Sequence, residues 1–337
     1  MKLMHTLAPL ALLAGLSACS WFGSDPLEDA QQAFAAEDYI AARELALAVL
    51  EGDPENVAAL ELLARAQLAM GQGGDVAGTL ERIERAGGEA ADEELLAAEA
   101  QLQMGNAAAA RELIGDRRDA EAWRLLALAA NLDGDLAGAR QAFASGHGAE
   151  GERGKLFAAE ASFHLAQGDL VAAEQAVALA QDVAPQRVET LFVSARLAEA
   201  RGDQVLALSN YLRIIEKVPL DRPALLAAIA ASERAGQGDI TRHLIAYGAQ
   251  TRPMDYEFVY QQARVEAWDG QWAAVRIRLQ AHEGELENHP AARLLYAESL
   301  LQLGQVETAR AIVAPILARW PGDGEALRVQ AAIEAAS

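Results

Sequence analysis

Apolar residues along most of this chain recur at intervals of three and four, the spacing of one face of an α-helix. Within residues 120–146, two apolar stripes follow one another: Trp123, Leu126, Ala127 and Ala130, then Leu136, Ala139 and Phe143. The strict alternation that indicates a β-strand is not the pattern here. A short polar stretch around Gly134 separates the stripes, so the pattern predicts two amphipathic helices joined by a turn.

A turn glycine recurs through the chain with a fixed period. Eight glycines each follow a helix-like run and precede a polar residue: Gly71, Gly105, Gly134, Gly168, Gly202, Gly236, Gly270 and Gly304. The spacing between successive members is constant except for the shorter interval from Gly105 to Gly134, and Glu37 lies one full period before Gly71. Such a period is typical of stacked structural repeats. The short interval predicts one unit that lacks five residues.

Two other residue types keep the same period. A small alanine follows most turns by five residues: Ala42, Ala110, Ala139, Ala173, Ala207 and Ala309. A proline recurs near the end of most units: Pro54, Pro185, Pro219, Pro253 and Pro321. Alanine lets the two helices of a hairpin approach closely. Proline cannot continue a helix, so it separates one unit from the next.

This pattern resembles the tetratricopeptide repeat, and residues 120–153 match it best. The resemblance covers roughly residues 25–322. It implies an all-α fold: a right-handed superhelical solenoid of about nine helical hairpins over residues 26–322, with a capping helix over residues 323–337. It also implies that the first helix of each hairpin lines a concave groove in which protein or peptide partners bind.

Placing the family's groove positions on this chain selects polar and aromatic residues: Glu61, Arg65, Glu99, Arg124, Asn131, Phe192, Arg196, Glu199, Arg234, Tyr260, Arg264, Trp268 and Glu298. Tyr260, Arg264 and Trp268 are four residues apart and share one stripe of one helix. Aromatic and arginine side chains are enriched at binding hot spots, so this stripe is the predicted centre of the site. The alternative is that aromatic rings fill the core between hairpins, which we favour for Phe258 and Trp272.

The first twenty residues have a different character. Leu7 to Leu16 is an apolar run too short to span a bilayer, and it ends in Leu16-Ser17-Ala18-Cys19. This stretch resembles the lipobox of bacterial lipoproteins. The resemblance implies a cleaved signal peptide over residues 1–18, a lipid on Cys19, a tether over residues 19–25, and, from Ser20, an outer-membrane location facing the periplasm. The alternatives are a chance cysteine in an ordinary signal peptide and a buried core cysteine.

The charge balance limits the classes of partner. The formal net charge is −21, so the protein has little attraction for nucleic-acid phosphates. Cys19 is the only cysteine, which excludes a disulfide within one chain. Protein or peptide partners therefore remain the main expectation, and nucleic acid is not one.

Motifs for catalysis are weak in this sequence. Residues 146–151 spell a literal GxGxxG, but no strand-to-helix turn surrounds it, so a connection between hairpins is the simpler interpretation. No HExxH occurs, although His282 and His289 could approach each other across a loop. The sequence therefore predicts a protein that is not an enzyme, with no catalytic residues, no cofactor and no metal.

The function that these features favour is a membrane-anchored scaffold or adaptor in an assembly or export system of the cell envelope. Lipoproteins of this build serve pilus assembly, outer-membrane protein insertion and exopolysaccharide export, or act as adaptors of peptidoglycan hydrolases. The opening repeats, residues 33–45, resemble the exopolysaccharide-export type. The alternative function is a carbohydrate-binding or enzyme-associated helical protein whose aromatic stripe stacks on sugars.

Overall fold

A computed structural model describes residues 25–336, and these residues form twenty α-helices and no β-strand. The first eight helices pair into four hairpins: α1 (Pro26–Ala35) with α2 (Tyr39–Gly52), α3 (Val57–Ala69) with α4 (Gly73–Arg85), α5 (Glu93–Gln103) with α6 (Ala107–Ile114), and α7 (Ala120–Leu132) with α8 (Leu136–Gly146). The all-α repeat fold predicted from the sequence is confirmed.

Five further hairpins follow, with two single helices. They are α9 (Gly154–Ala166) with α10 (Leu170–Val183), α11 (Val188–Ala200) with α12 (Gln204–Lys217), α13 (Arg222–Arg234) with α14 (Gly238–Thr251), α15 (Tyr256–Trp268) with α16 (Trp272–Gln280), the short α17 (Glu283–Leu286), α18 (Pro290–Gln302) with α19 (Val306–Arg319), and the terminal α20 (Gly324–Ala335). The described residues thus contain nine hairpins and a final unpaired helix, as the period predicts.

Contacts divide the chain into two compact units, the first ending at Gly151 and the second beginning at Glu152. Hairpins one to four belong to the first unit; hairpins five to nine, α17 and α20 belong to the second. Within each unit the second helix of one hairpin packs on the first helix of the next. We call the surface formed by the first helices of a unit its first-helix face.

The turn inside each hairpin needs a left-handed residue. All eight periodic glycines have positive φ, between 68° and 84°, where a side chain is disfavoured. Glu37, at the matching position of the first hairpin, takes the same conformation with φ 67°. The glycine period therefore identifies the hairpin turns correctly, even where the residue is not glycine.

Side chains cap the helix N-termini. Nine of the eleven side-chain N-caps in residues 25–336 are aspartates, and the other two are Asn56 and His289. Each accepts a hydrogen bond from a backbone N–H of the first turn that has no partner inside its helix.

Alanine and a few large side chains build the core. Phe143 and Phe258 are fully buried, as the sequence predicts. Trp272 is half-buried and packs against the core of hairpin eight. Trp123, which the repeat pattern places in the core of hairpin four, is only half-buried, because its ring lies toward the loop before α7. The guanidinium carbon of Arg118 in that loop lies 5.3 Å from the ring centre.

Two hairpins depart from the common length. The second helix of hairpin three, α6, has eight residues, which accounts for the short glycine interval. In hairpin eight the second helix, α16, has nine residues and is followed by α17, which has four. The extra turn of chain between α16 and α18 was not predicted, and it positions the histidines discussed below.

Candidate functional site

The predicted stripe on α15 forms one cluster of side chains. The guanidinium carbon of Arg264 lies 5.1 Å from the ring centre of Trp268 and 5.9 Å from that of Tyr260. These distances are those of cation–π contacts. We call Tyr260, Arg264 and Trp268 the α15 cluster.

Trp268 is the open end of the α15 cluster. Its side chain is 47% exposed, at the end of α15 and next to the turn. A second guanidinium, that of Arg242 on α14, lies 5.7 Å from the same ring, and Asp269 holds it with an ion pair of 2.8 Å. Two ordered arginines therefore border an exposed indole.

Tyr260 is the closed end of the cluster. It is half-buried against the core of hairpin eight, and its ring centre lies 4.6 Å from that of His289. Burial raises the pKa of its phenol. Tyr260 therefore packs the α15 cluster against the core of hairpin eight, and Trp268 is the ring that a partner can contact.

Ion pairs join neighbouring first helices of the second unit. Arg264 on α15 pairs with Glu233 on α13 at 2.9 Å, and Arg234 on α13 pairs with Glu199 on α11. Arg328 on α20 pairs in the same way with a carboxylate of α18, that of Glu298, at 3.1 Å. The guanidinium of Arg264 is thus fixed from one side by a carboxylate and lies over aromatic rings of its own helix.

The predicted groove residues of α11 behave differently from one another. Phe192 is half-buried and makes an edge contact of 5.7 Å with the ring of Tyr211. The Tyr211 hydroxyl donates a hydrogen bond of 3.0 Å to Glu199, and burial raises the pKa of that phenol. Arg196 is exposed and makes no hydrogen bond or ion pair with the residues that the structure describes.

Arg124, in the first unit, is not open to a partner. Only 7% of the residue is exposed, and its guanidinium contacts Glu99 at 2.9 Å and Glu121 at 2.6 Å. Burial alone would lower the pKa of Arg124, but the two carboxylates outweigh it and hold the pKa above its ordinary value. Arg124 is therefore an internal cation that connects α5 and α7.

Arg65 and Asn131 are the other predicted groove residues of the first unit. Arg65 pairs with Glu61 at 2.8 Å and donates a second hydrogen bond of 2.8 Å to the carbonyl of Ala91. Asn131 is exposed near the end of α7.

The predicted lipidation signal falls outside the part of the chain that the structure describes. This holds for Cys19, for the segment 1–18 and for nearly all of the 19–25 tether. Nowhere in residues 25–336 is a helix both long and apolar enough to cross a membrane.

In the described part of the chain no group of three or more His, Cys, Asp or Glu side chains could hold a metal ion. The GxGxxG string begins at the last residue of α8, and within it the Glu150 carbonyl accepts a hydrogen bond of 2.8 Å from the backbone N–H of Ala120. This stretch is a connection, which agrees with the simpler interpretation of its sequence.

Two neighbours of the α15 cluster were not identified as such from the sequence, where His289 was considered only as a residue that could approach His282. Arg242 lies on a second helix, so the family's groove positions do not include it. His289 contacts Tyr260 from the N-terminus of α18, and its position directly before Pro290, a residue favoured in the first turn of a helix, is the signal that could have identified it as a cap.

Comparisons with known proteins agree with this fold. A family model described as tetratricopeptide repeat matches residues 270–333. No curated protein sequence matches the chain. Its fold is similar to that in the crystal structure of the APC/C hetero-tetramer Cut9–Hcn1, with a TM-score of 0.51, 13% identity, and coverage of 92% of this chain. This chain spans 55% of the length of that one.

Two other solved structures show weaker similarity. PilW, a type IV pilus biogenesis factor, has a TM-score of 0.39 and 14% identity, with 69% of this chain and 94% of that chain covered. A thermophilic TPR protein of Thermus thermophilus has a TM-score of 0.34 and 20% identity, with 61% and 96% covered. The family model identifies a tetratricopeptide-repeat segment at residues 270–333, and the similarity to the Cut9–Hcn1 structure concerns the fold alone.

Proposed function

We propose that this protein is a lipid-anchored scaffold of the bacterial cell envelope and that it binds a protein partner on the first-helix face of its second unit, centred on Trp268. The tether is Cys19, and the location is the outer membrane, facing the periplasm. Exopolysaccharide export is the system that the opening repeats favour.

The exposed indole of Trp268 carries the docking part of the proposal. Trp268 is 47% exposed, so its ring offers apolar surface that a docking partner would remove from water. Arg264 and Arg242 already lie over the ring, and carboxylates hold both. Because these side chains are ordered before binding, they lose less conformational entropy when a partner docks against them.

Replacing Trp268 tests the docking surface. We expect Trp268→Ala to weaken partner capture from periplasmic extract by well over tenfold, since truncating an aromatic hot spot costs about 2 kcal/mol or more. The melting temperature should stay nearly unchanged, because the ring is exposed. Quantitative mass spectrometry of the captured proteins, with Kd measured for the partner it identifies, is the readout.

Trp320→Ala is the matched control. Trp320 is 44% exposed and also lies under a guanidinium, that of Arg319 at 4.8 Å, but it is in the loop after α19. Loss of capture by both variants would indicate nonspecific adhesion to exposed rings. Capture that Trp268→Ala leaves intact would contradict the proposed surface, and a ligand that survives protease digestion would favour the carbohydrate-binding alternative.

Replacing Cys19 tests the anchor. The support is the apolar run that ends in Leu16-Ser17-Ala18-Cys19. We expect Cys19→Ala to lose metabolic labelling by an alkyne fatty acid and to leave the outer-membrane fraction, while Ser17→Ala keeps both, because a small residue remains before the cysteine. Equal labelling of Cys19→Ala and the unchanged protein would contradict the lipoprotein proposal without affecting the docking surface.

A further inference from the structure

His289 occupies a position that an aspartate or asparagine fills in the other side-chain-capped helices of residues 25–336. It is the N-cap of α18, between hairpins eight and nine. Aspartate stays ionised from neutral to mildly acidic pH, whereas an ordinary histidine changes its charge near pH ~6.5. The start of α18 is therefore capped by a residue type that ordinarily changes charge near neutral pH, whereas the aspartate and asparagine caps do not.

Both ring nitrogens of His289 are engaged. The backbone N–H of Ala292 donates a hydrogen bond of 3.1 Å to Nδ1, and Nε2 lies 3.0 Å from a carboxylate oxygen of Glu257 on α15. Nδ1 can accept only while it carries no proton, and a neutral ring that accepts there carries its proton on Nε2, from which it donates to Glu257. One neutral imidazole thus caps α18 and connects it to hairpin eight.

We propose that His289 is a pH-sensitive latch between hairpins eight and nine: its neutral ring caps α18 while bonded to Glu257, and protonation at Nδ1 releases the cap. A proton on Nδ1 would face the N–H of Ala292, donor against donor. The positive end of the helix dipole also opposes a cation at this position.

The contact between His289 Nε2 and the Glu257 carboxylate persists when the ring is protonated. The hydrogen bond from His289 lowers the pKa of Glu257 below its ordinary value, with a further contribution from Gln261. A carboxylate whose pKa is lowered by folding stabilises the folded protein above its unfolded pKa. That stability is lost only when the pH falls through the lowered pKa, which is more acidic than the range in which a histidine changes charge. The imidazolium therefore stays on Glu257 and leaves the start of α18.

The aromatic neighbours of the ring do not change their charge in the same range. On α15 the rings of Tyr256 and Tyr260 lie 5.5 and 4.6 Å away, and burial raises the pKa of Tyr256 to about 12, so its phenol stays neutral. His282, the N-cap residue of α17, lies 5.9 Å from the ring of Tyr256 and is a second imidazole in the cluster. It must therefore be replaced before the charge of His289 can be followed alone.

Several other charged groups lie around the latch: Glu325 on α20 acts on Tyr260, and Arg319 and Asp323 line a pocket with Pro290. Glu285 on α17 acts on Tyr256, and Arg222 on α13 acts on Glu257. Arg293 follows His289 by one turn of α18. Glutamate, aspartate and arginine side chains do not ordinarily change charge between about pH 5 and pH 8, so these groups bias the latch but do not switch it.

The test uses nuclear magnetic resonance of the whole chain in a His282→Gln background, which leaves His289 as the one imidazole of the cluster. Nitrogen shifts of the His289 ring report where its proton lies, and amide exchange reports the protection of Ala292. From about pH 8 to pH 5 we expect the protection factor of Ala292 to fall about fivefold as the ring becomes charged, the effect of losing one N-cap. Ala326, which Asp323 caps in the same way, is the internal reference and should not change.

His289→Asn is the matched variant, because asparagine caps a helix without titrating. Its Ala292 amide should keep the same protection at both pH values, and in His289→Ala the protection of Ala292 should be about fivefold lower at both. A proton on Nδ1 at the higher pH, unchanged Ala292 protection while the ring titrates, or an equal fall in His289→Asn would each overturn the latch. These readouts are local to α18, so they stand or fail separately from docking at Trp268.

Discussion

Arg124 is a cation held inside the first unit by two carboxylates on different helices. Glu99 on α5 and Glu121 on α7 contact its guanidinium at 2.9 and 2.6 Å, and their side chains keep 19% and 32% exposure. Breaking a buried ion pair by removing one partner is costly because the other charge stays desolvated. Partial exposure of the two acids reduces that cost here.

We therefore expect Arg124→Met to lower the free energy of unfolding by about 2–3 kcal/mol. Adding Glu99→Gln and Glu121→Gln should recover most of the loss, because no uncompensated charge then remains. Arg111→Met, which breaks the exposed pair with Asp133, should cost less than about 1 kcal/mol. Urea denaturation of these variants is the measurement, and equal losses for Arg124→Met and Arg111→Met would show that Arg124 is an ordinary surface charge.

At this scale the sequence predicts the helix face of a residue but not its partners. The repeat register put Arg124 and Arg264 on first helices, where both lie. It could not show that Glu99, on the first helix of the preceding hairpin, would enclose one guanidinium while the other lies against Trp268. One carboxylate on each arginine, Glu99 or Glu233, comes from a neighbouring hairpin, and its geometry depends on packing that no local pattern records.

Close packing between elements depends on particular small residues. Gly248 lies inside α14 where a Cβ atom would be 2.3 Å from the ring of Phe258 on α15. Gly238, at the start of the same helix, has open space around it. The two glycines therefore separate the steric role of glycine from its effect on helix propensity.

We expect Gly248→Ala to destabilise the protein by about 1–3 kcal/mol, the cost of overpacking a filled core. Gly238→Ala should be neutral or stabilising by up to about 1 kcal/mol, because alanine is the better helix former. Thermal unfolding by circular dichroism compares them. If both changes shift the melting temperature equally, α14 and α15 are not in the close contact described here.

Hairpins were predictable at the level of elements because glycine turns, alanines and prolines repeat in phase. The departures from the common hairpin were not predictable, because no periodic signal marks them. Residues 281–289 contain no marker that distinguishes the end of α16 from the start of α17. Trp123 shows a similar limit, because a ring at a core position can still lie at an edge that a neighbouring loop covers.

The division into two units is a property of the whole molecule, and the constant spacing of the turn glycines gives no sign of it. Glycines recur at a constant spacing from Gly134 to Gly304, without interruption where the contacts separate at Gly151. A repeat array propagates stability only through packed neighbours. The contact boundary therefore predicts how far the effect of a core mutation spreads.

Phe143 tests that boundary, because it is fully buried in the last hairpin of the first unit. We expect Phe143→Ala to cost about 3–5 kcal/mol locally. Hydrogen exchange should rise in α5 to α8 and leave α18 to α20 unchanged, since only packed neighbours lose support. Phe258→Ala, equally buried in the second unit, should give the reverse pattern. Fragment-resolved mass spectrometry measures both. A uniform rise across residues 25–336 in either variant would mean that the chain unfolds as one cooperative body and that the two units have no separate stability.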